Sequence, residues 1–516
     1  MAQRLSNYLL GTAGLIVGLC AAPAQAEVKL NPLFSSGMVL QRNTEVPVWG
    51  TATKGELVTV RFQDQTLTAT AGKDGDWKVR LLNLKAGGPY ALTVKGENTL
   101  EVPNVLVGEV WLCSGQSNMA FALQQATSAS RHIAESRNPS IRLFQVGFNP
   151  SDTPQKEVKG QWVECGPESA ARFSAVAHFF GRDLQKALGV PVGLIQSAVG
   201  GTPAEAWSSR GTLEGNPEFK GILNTYAQAV KNYPQAKEQY DAAVVKYKEA
   251  AAEAKRQGTT APRPPQVPYG PENPRRPSCL YNGMIAPVAP YAIRGAIWYQ
   301  GESNASRAAE YRTLYPAMIQ NWRDDWGRGN FPFLGVQLAP FKKIAPQPQE
   351  SDWAELREAQ LLATRTMPKV GMAVITDVGE EDDIHPRQKE PVGARLALLA
   401  RRIAYGEKVA ASGPEYDTMR VEDGRIVLKF KNTGGGLVAK DGPLKGFTLC
   451  GKDRSWMTAM AEIQGDRVVV WNRNISEPVA VRFGWADFPV VNLWNKDGLP
   501  ATPFRTDDFP LTTQKK

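Results

Sequence analysis

The sequence predicts an α/β protein: a parallel sheet at its centre and a small β-rich module at each end. Five strand-length runs, at residues 105–113, 192–197, 292–299, 333–338 and 370–375, are nearly continuously apolar, as strands covered on both faces are. Helical patterns separate them. Val176, Phe179, Phe180, Leu184 and Leu188 recur at helical spacing, and 392–404 follows the last strand as another helix. The flanks instead show short strands cut by turns.

Residues 1–26 read as a secretory signal. Arg4 supplies the basic start, 8–19 the apolar stretch and Ala24-Gln25-Ala26 a small-residue cleavage site. The apolar stretch is shorter than the roughly 20 residues needed to span a bilayer, and no other segment is a membrane candidate. Cleavage after Ala26 implies a secreted or periplasmic protein. Residues 27–104, with strands near 46–50, 57–62, 74–79 and 90–94, predict an N-terminal β-sandwich. The α/β domain then occupies 105–408, and 409–516 returns to strands (426–430, 467–471, 480–483) as a C-terminal β-rich module. An insertion at about 225–277 interrupts the α/β domain. Its first part, 229–256, is rich in Ala, Lys and Glu, with Tyr240, Val244, Tyr247 and Ala251 on one helical face. Its second part, 262–277, holds seven prolines and reads as a stiff connector.

At 516 residues, 42% of them apolar and 22% charged, the chain exceeds one ordinary core. The net charge of +9 is a modest bias, and no basic run with interleaved aromatics suggests nucleic acid. Only three histidines occur and no Cys spacing suits a metal, so no structural or catalytic zinc is expected. Cys113, Cys165, Cys279 and Cys450, an even set in an oxidising compartment, predict one or two disulfides.

Ser117 lies where the first apolar run gives way to Ser114-Gly115-Gln116-Ser117-Asn118-Met119 and a helix start. Taken alone it reads first as a helix cap. A hydroxyl at such a turn is also exposed at the sheet's carboxyl edge, beside backbone N–H groups able to hold an oxyanion. A serine nucleophile needs a base. His132 lies in a polar stretch and reads as a solvated loop residue, and His178 falls within an amphipathic helix as a packing residue. His385 follows the strand at 370–375 through a loop rich in carboxylates, where a base belongs. Asp382 and Asp383, three and two residues before it, are both placed to orient its ring. Glycine turns after two further strands, Gly200-Gly201-Thr202-Pro203 and Gln300-Gly301-Glu302-Ser303-Asn304, are candidate oxyanion donors.

The segments at 115–119, 200–207, 298–304 and 383–389 together resemble the four sequence blocks of SGNH-type hydrolases, and most of all the sialate O-acetylesterases. Residues 281–287 resemble a further family segment. The resemblance spans about 105–405. It implies a flavodoxin-like three-layer α/β/α hydrolase domain that needs no cofactor and removes O-acetyl groups from sialic acids. In this reading Ser117 attacks, His385 acts as base and then acid, and Asp382 is the preferred orienting residue, with Asp383 the alternative. The oxyanion would be held by the N–H groups of Ser117 and Gly201 and by the Gln300 side chain, with Gly200 and Asn304 as alternatives. A sialate carboxylate calls for a guanidinium, and Arg210, Arg307 and Arg387 stand near the blocks. Acetylated xylan or pectin would suit the same catalytic residues. A non-catalytic glycan-binding protein is the reading from a different class, but it requires a broken catalytic position, and Ser117 and His385 are both intact.

Overall fold

The computed structural model describes residues 27–514. The signal at 1–26 lies outside the described residues.

A mixed sheet forms the centre of the protein. Its strands are β1 (Thr99–Gly115), β2 (Asn138–Gln145), β3 (Trp162–Cys165), β4 (Val192–Ala198), β5 (Gly295–Tyr299), β6 (Phe333–Val336) and β7 (Val370–Ala373), in the spatial order β3-β2-β4-β1-β5-β6-β7. All neighbours are parallel except β3, which runs antiparallel to β2. The strand β2 was not among the five expected. Its apolar run is interrupted by Arg142, a buried guanidinium that bonds to the Pro139 carbonyl at 2.9 Å and pairs with Glu164 at 3.1 Å. A charge in the middle of the run hides the strand from an apolar count.

Alternation along β1 feeds two cores. Val110 and Leu112 pack on one side with residues of α3 (Ala308–Trp326) and α4 (Asp352–Thr366), and Trp111 and Cys113 on the other with α1 (Ala175–Leu188) and α5 (Glu390–Tyr405). Gly393 lets α5 approach α1 closely: a Cβ there would lie 2.5 Å from the Phe179 Cβ.

At 17 residues, β1 is far longer than its neighbours. Its first half pairs with Gly87–Lys95 of the N-terminal module and its second half with β4 and β5. A boundary drawn between 104 and 105 therefore falls inside a continuous strand. Where the halves meet, the buried Glu109 carboxylate accepts from Arg42 (2.6 Å), Gln41 (2.8 Å) and Arg294 (2.8 Å). Burial pushes its carboxyl up, but these bonds outweigh burial and leave it below the ordinary value.

The insertion helix, α2, runs from Lys220 to Gln257, starting earlier than the sequence pattern suggests and carrying Pro234 inside it. The C-terminal region holds two four-stranded sheets around their own core. No helix among the described residues is long and apolar enough to cross a membrane.

The four described cysteines are unpaired, contrary to expectation. Their placement explains this. Cys113 lies on β1 and Cys165 on β3, three strand positions or about 14 Å away, whereas a disulfide needs Cα atoms within about 7 Å. Cys279 belongs to the core on the other face of the sheet, and Cys450 is buried on a strand of the C-terminal region.

Candidate active site

β1 is central, with β4 on one side and β5 on the other, and the chain order reverses around it. In an open α/β sheet the crevice forms at such a point, beyond the strands' carboxyl ends. Ser117 lies two residues past the end of β1 and opens a short helix, Ser117–Ala120. Gly115 makes this turn possible: its φ is +141°, and a Cβ there would lie 2.2 Å from the Tyr299 carbonyl oxygen.

His385 reaches the same point from the loop after β7. Its Nε2 stands 2.8 Å from Ser117 Oγ, within hydrogen-bond reach of the hydroxyl proton. The two carboxylates before it diverge. Asp383 Oδ1 accepts the His385 backbone N–H at 2.8 Å and lies 3.4 Å from Nδ1. Asp382, the preferred orienting residue, turns outward to Lys343 Nζ at 2.7 Å and does not face the imidazole. The turn explains the swap, because holding the His385 N–H fixes Asp383 beneath the ring.

The glycine turn after β4 lies against the nucleophile. A Cβ at Gly200 would be 3.4 Å from the Ser117 Cβ, and Gly201 adopts a left-handed φ of +69°. The turn after β5 differs from expectation. Gln300 is fully buried, and its amide donates to Asn304 Oδ1 (2.7 Å) and the Thr202 carbonyl (3.3 Å), so no free N–H is left for an oxyanion. Asn304, itself fully buried, takes the other end of this relay. Its Oδ1 also accepts from Ala204 N (2.9 Å), tying it to the glycine turn, and its Nδ2 donates to Glu205 at 3.0 Å.

A buried polar cluster that no sequence pattern singled out lies behind Ser117. Asn118 donates from Nδ2 to Glu302 (2.6 Å) and to the Ile384 carbonyl (3.0 Å), and its Oδ1 accepts from Lys389 Nζ at 2.5 Å. Since Ile384 precedes His385, Asn118 clamps the helix that carries Ser117 directly to the loop that carries His385. Lys389 is 1% exposed and lies over the rings of Phe121 and Tyr299. Burial pushes its ammonium down to about 7, against the opposing field of Glu302. The Glu302 carboxyl is raised, also by burial. Two signals were present in sequence: a polar residue directly after the serine, and a lysine four residues after the histidine.

The three candidate arginines are engaged elsewhere. Arg210 pairs with Glu214, Arg307 with Glu205 and Glu310, and Arg387 donates to the Gln125 carbonyl at 3.0 Å. Neither remaining histidine joins the site. His132, expected in solvent, is buried edge-on to Phe179, and His178 is buried with its pKa pushed down to about 4 by desolvation and by the nearby Arg182 and His132. Among the described residues, no cluster of His, Cys, Asp and Glu has the makings of a metal site.

Known proteins are similar to this chain. The family described as carbohydrate esterase, sialic acid-specific acetylesterase, matches residues 107–256 and 273–400. The chain belongs to that family. It is an esterase. The esterase is 34% identical over 435 residues to the sialate O-acetylesterase of Rattus norvegicus, covering 76% of this chain and 77% of that one. It is 30% identical to the sialate O-acetylesterase of Mus musculus, covering 96% and 97%. Among solved structures, a carbohydrate acetylesterase from Xanthomonas citri superposes with a TM-score of 0.80 at 37% identity, covering 93% of the esterase and all of that chain.

Proposed function

We propose that this esterase is exported, with residues 1–26 removed, and that it cleaves O-acetyl groups from sialic acids through an acyl-enzyme. The 2.8 Å contact between Ser117 Oγ and His385 Nε2 carries the mechanism. As Oγ attacks the acetyl carbonyl, its proton passes to Nε2. The oxyanion then sits among the N–H groups of Ser117 and of the turn at Gly200 and Gly201 and the second Nδ2 hydrogen of Asn304, which Glu205 and Gln300 hold in place. His385 returns the proton to the departing sugar oxygen, and water repeats the cycle on the acetyl-serine. Asp383 steadies the imidazolium, its contact with Nδ1 being a long 3.4 Å.

Sialic acid as the sugar is supported by the names of the relatives from rat and mouse, which cover most of the chain. The two cores on opposite faces of the parallel sheet support a flavodoxin-like three-layer arrangement for the catalytic domain, and the paired sheets at either end support β-sandwich modules. Acetate release tests the substrate: O-acetylated sialic acid is expected to be turned over faster than acetylated xylan, with Ser117→Ala inactive on both. Preference for xylan would reassign the sugar while leaving the mechanism.

A further inference from the structure

A cavity of about 540 Å³, of a size that takes small ligands, lies between the glycine-turn segment and the insertion. Its floor includes Glu205, the residue that holds Asn304, and Arg307, which pairs with Glu205. Its far wall comes from the proline-rich connector: Gln266, Tyr269, Asn273 and Arg275.

We infer that this cavity is a second sugar subsite, receiving the saccharide linked to the acetylated one. The cavity wall is joined to the Ser117 turn through a short stretch of chain and through Asn304. Gly200 stands where a Cβ would lie 3.4 Å from the Ser117 Cβ, the chain runs on through Thr202 to Pro203 and Glu205 in the cavity wall, and Asn304 bonds both to this segment's backbone and to the Glu205 carboxylate.

The chemistry of the lining suits a saccharide, with one aromatic face among amide, carboxylate and guanidinium groups. Tyr269 is set edge-on against Tyr226 of α2, the ring centroids 5.8 Å apart. Arg275 lines the cavity and makes no ion pair among the described residues, whereas Arg307 is already neutralised by two carboxylates. The connector is also held in place rather than loose. Gly270 packs so tightly on Tyr233 that a Cβ would lie 2.1 Å from its ring, Tyr233 donates to Glu272 at 3.1 Å, and Ser278 N donates to the Glu205 carbonyl at 2.9 Å.

The two matched parts of the family stop at 256 and resume at 273. Gln266 and Tyr269 fall in the unmatched stretch between them. The wall thus joins residues of that stretch to Asn273 and Arg275 of the second matched part.

The subsite rests on the proposal that the substrate is an acetylated sugar, and the test separates the two. Initial rates are compared on an aryl acetate, on free O-acetylated sialic acid and on O-acetylated sialyllactose, for wild type, Tyr269→Ala, Tyr269→Phe and Arg275→Ala. Wild type is expected to favour the trisaccharide over the free sugar by about tenfold in kcat/KM, mainly through KM. Tyr269→Ala and Arg275→Ala should lose that preference with aryl acetate hydrolysis unchanged, and Tyr269→Phe should keep it. No preference in wild type, or a preference that survives Tyr269→Ala, overturns the subsite. If wild type hydrolyses aryl acetate but neither sialic ester, the sialate assignment fails instead. The subsite is then judged by the same criteria on acetylated xylobiose against acetylated xylose.

Discussion

The two sides of the Ser117–His385 pair are built differently. On the nucleophile's side the supporting groups are buried: Asn118 is fully enclosed, Lys389 is 1% exposed, and their bonds run to Glu302 and to the loop that carries the base. On the far side of the imidazole, Asp383 is half exposed, its Oδ1 is shared with a backbone N–H, and it stands 3.4 Å from the ring. Buried polar bonds hold geometry tightly because any alternative leaves groups unpaired, whereas an exposed carboxylate is screened by water. The base is therefore positioned from the serine's side more than by its own carboxylate.

Substitutions can break that contrast. Ser117→Ala should have the largest effect, lowering kcat/KM on aryl acetate by at least about 10³-fold, because it removes the covalent step. Asn118→Ala should follow with a loss of roughly 10²-fold, mostly in kcat, since small displacements of reacting groups are expensive. The melting temperature should be recorded alongside, because a loss of activity that follows unfolding alone would not count. Asp383→Asn should lower kcat by less than about tenfold. Asp382→Asn should leave it within about twofold, its side chain pairing only with an exposed lysine. If Asp383→Asn proves as damaging as Asn118→Ala, the contrast is wrong and the site is a full triad.

A smaller effect belongs to stability. The unfolded chain keeps the Lys389 proton up to about pH 10.4, and the folded chain only up to about 7. Between these values unfolding takes up a proton, so this residue makes stability rise with pH across that window. Denaturant midpoints from pH 7 to 10 should therefore rise less steeply in Lys389→Met than in wild type. Equal slopes would mean that the lysine stays charged in the folded chain.

The pairing of Ser117 with His385 could be read from sequence, because a chain with three histidines offers few partners and His385 alone follows a strand's carboxyl end. What surrounds the pair depends on side-chain direction, which spacing does not determine. Asp382 and Asp383 are neighbours in sequence, and a single backbone bond from His385 decides which one faces the ring. Gln300 and Asn304 share one turn, and the relay from one to the other shows which amide is consumed internally. Charge hid two further features. Arg142 masked β2, and Lys389, a charged residue at a helix start, lies buried against two aromatic rings. The absent disulfides reflect sheet order, since residues with compatible parity and compartment can still sit three strands apart.

The unbroken β1 has a mechanical consequence. Because one 17-residue strand is hydrogen-bonded to the N-terminal module along its first half and to the catalytic sheet along its second, no flexible joint separates the two bodies. The strand acts as a beam clamped at both ends, with Ser117 just past one clamp. Thermal fraying of the module must pull on the same backbone that aims the nucleophile, so the module and the active site should melt in a single transition.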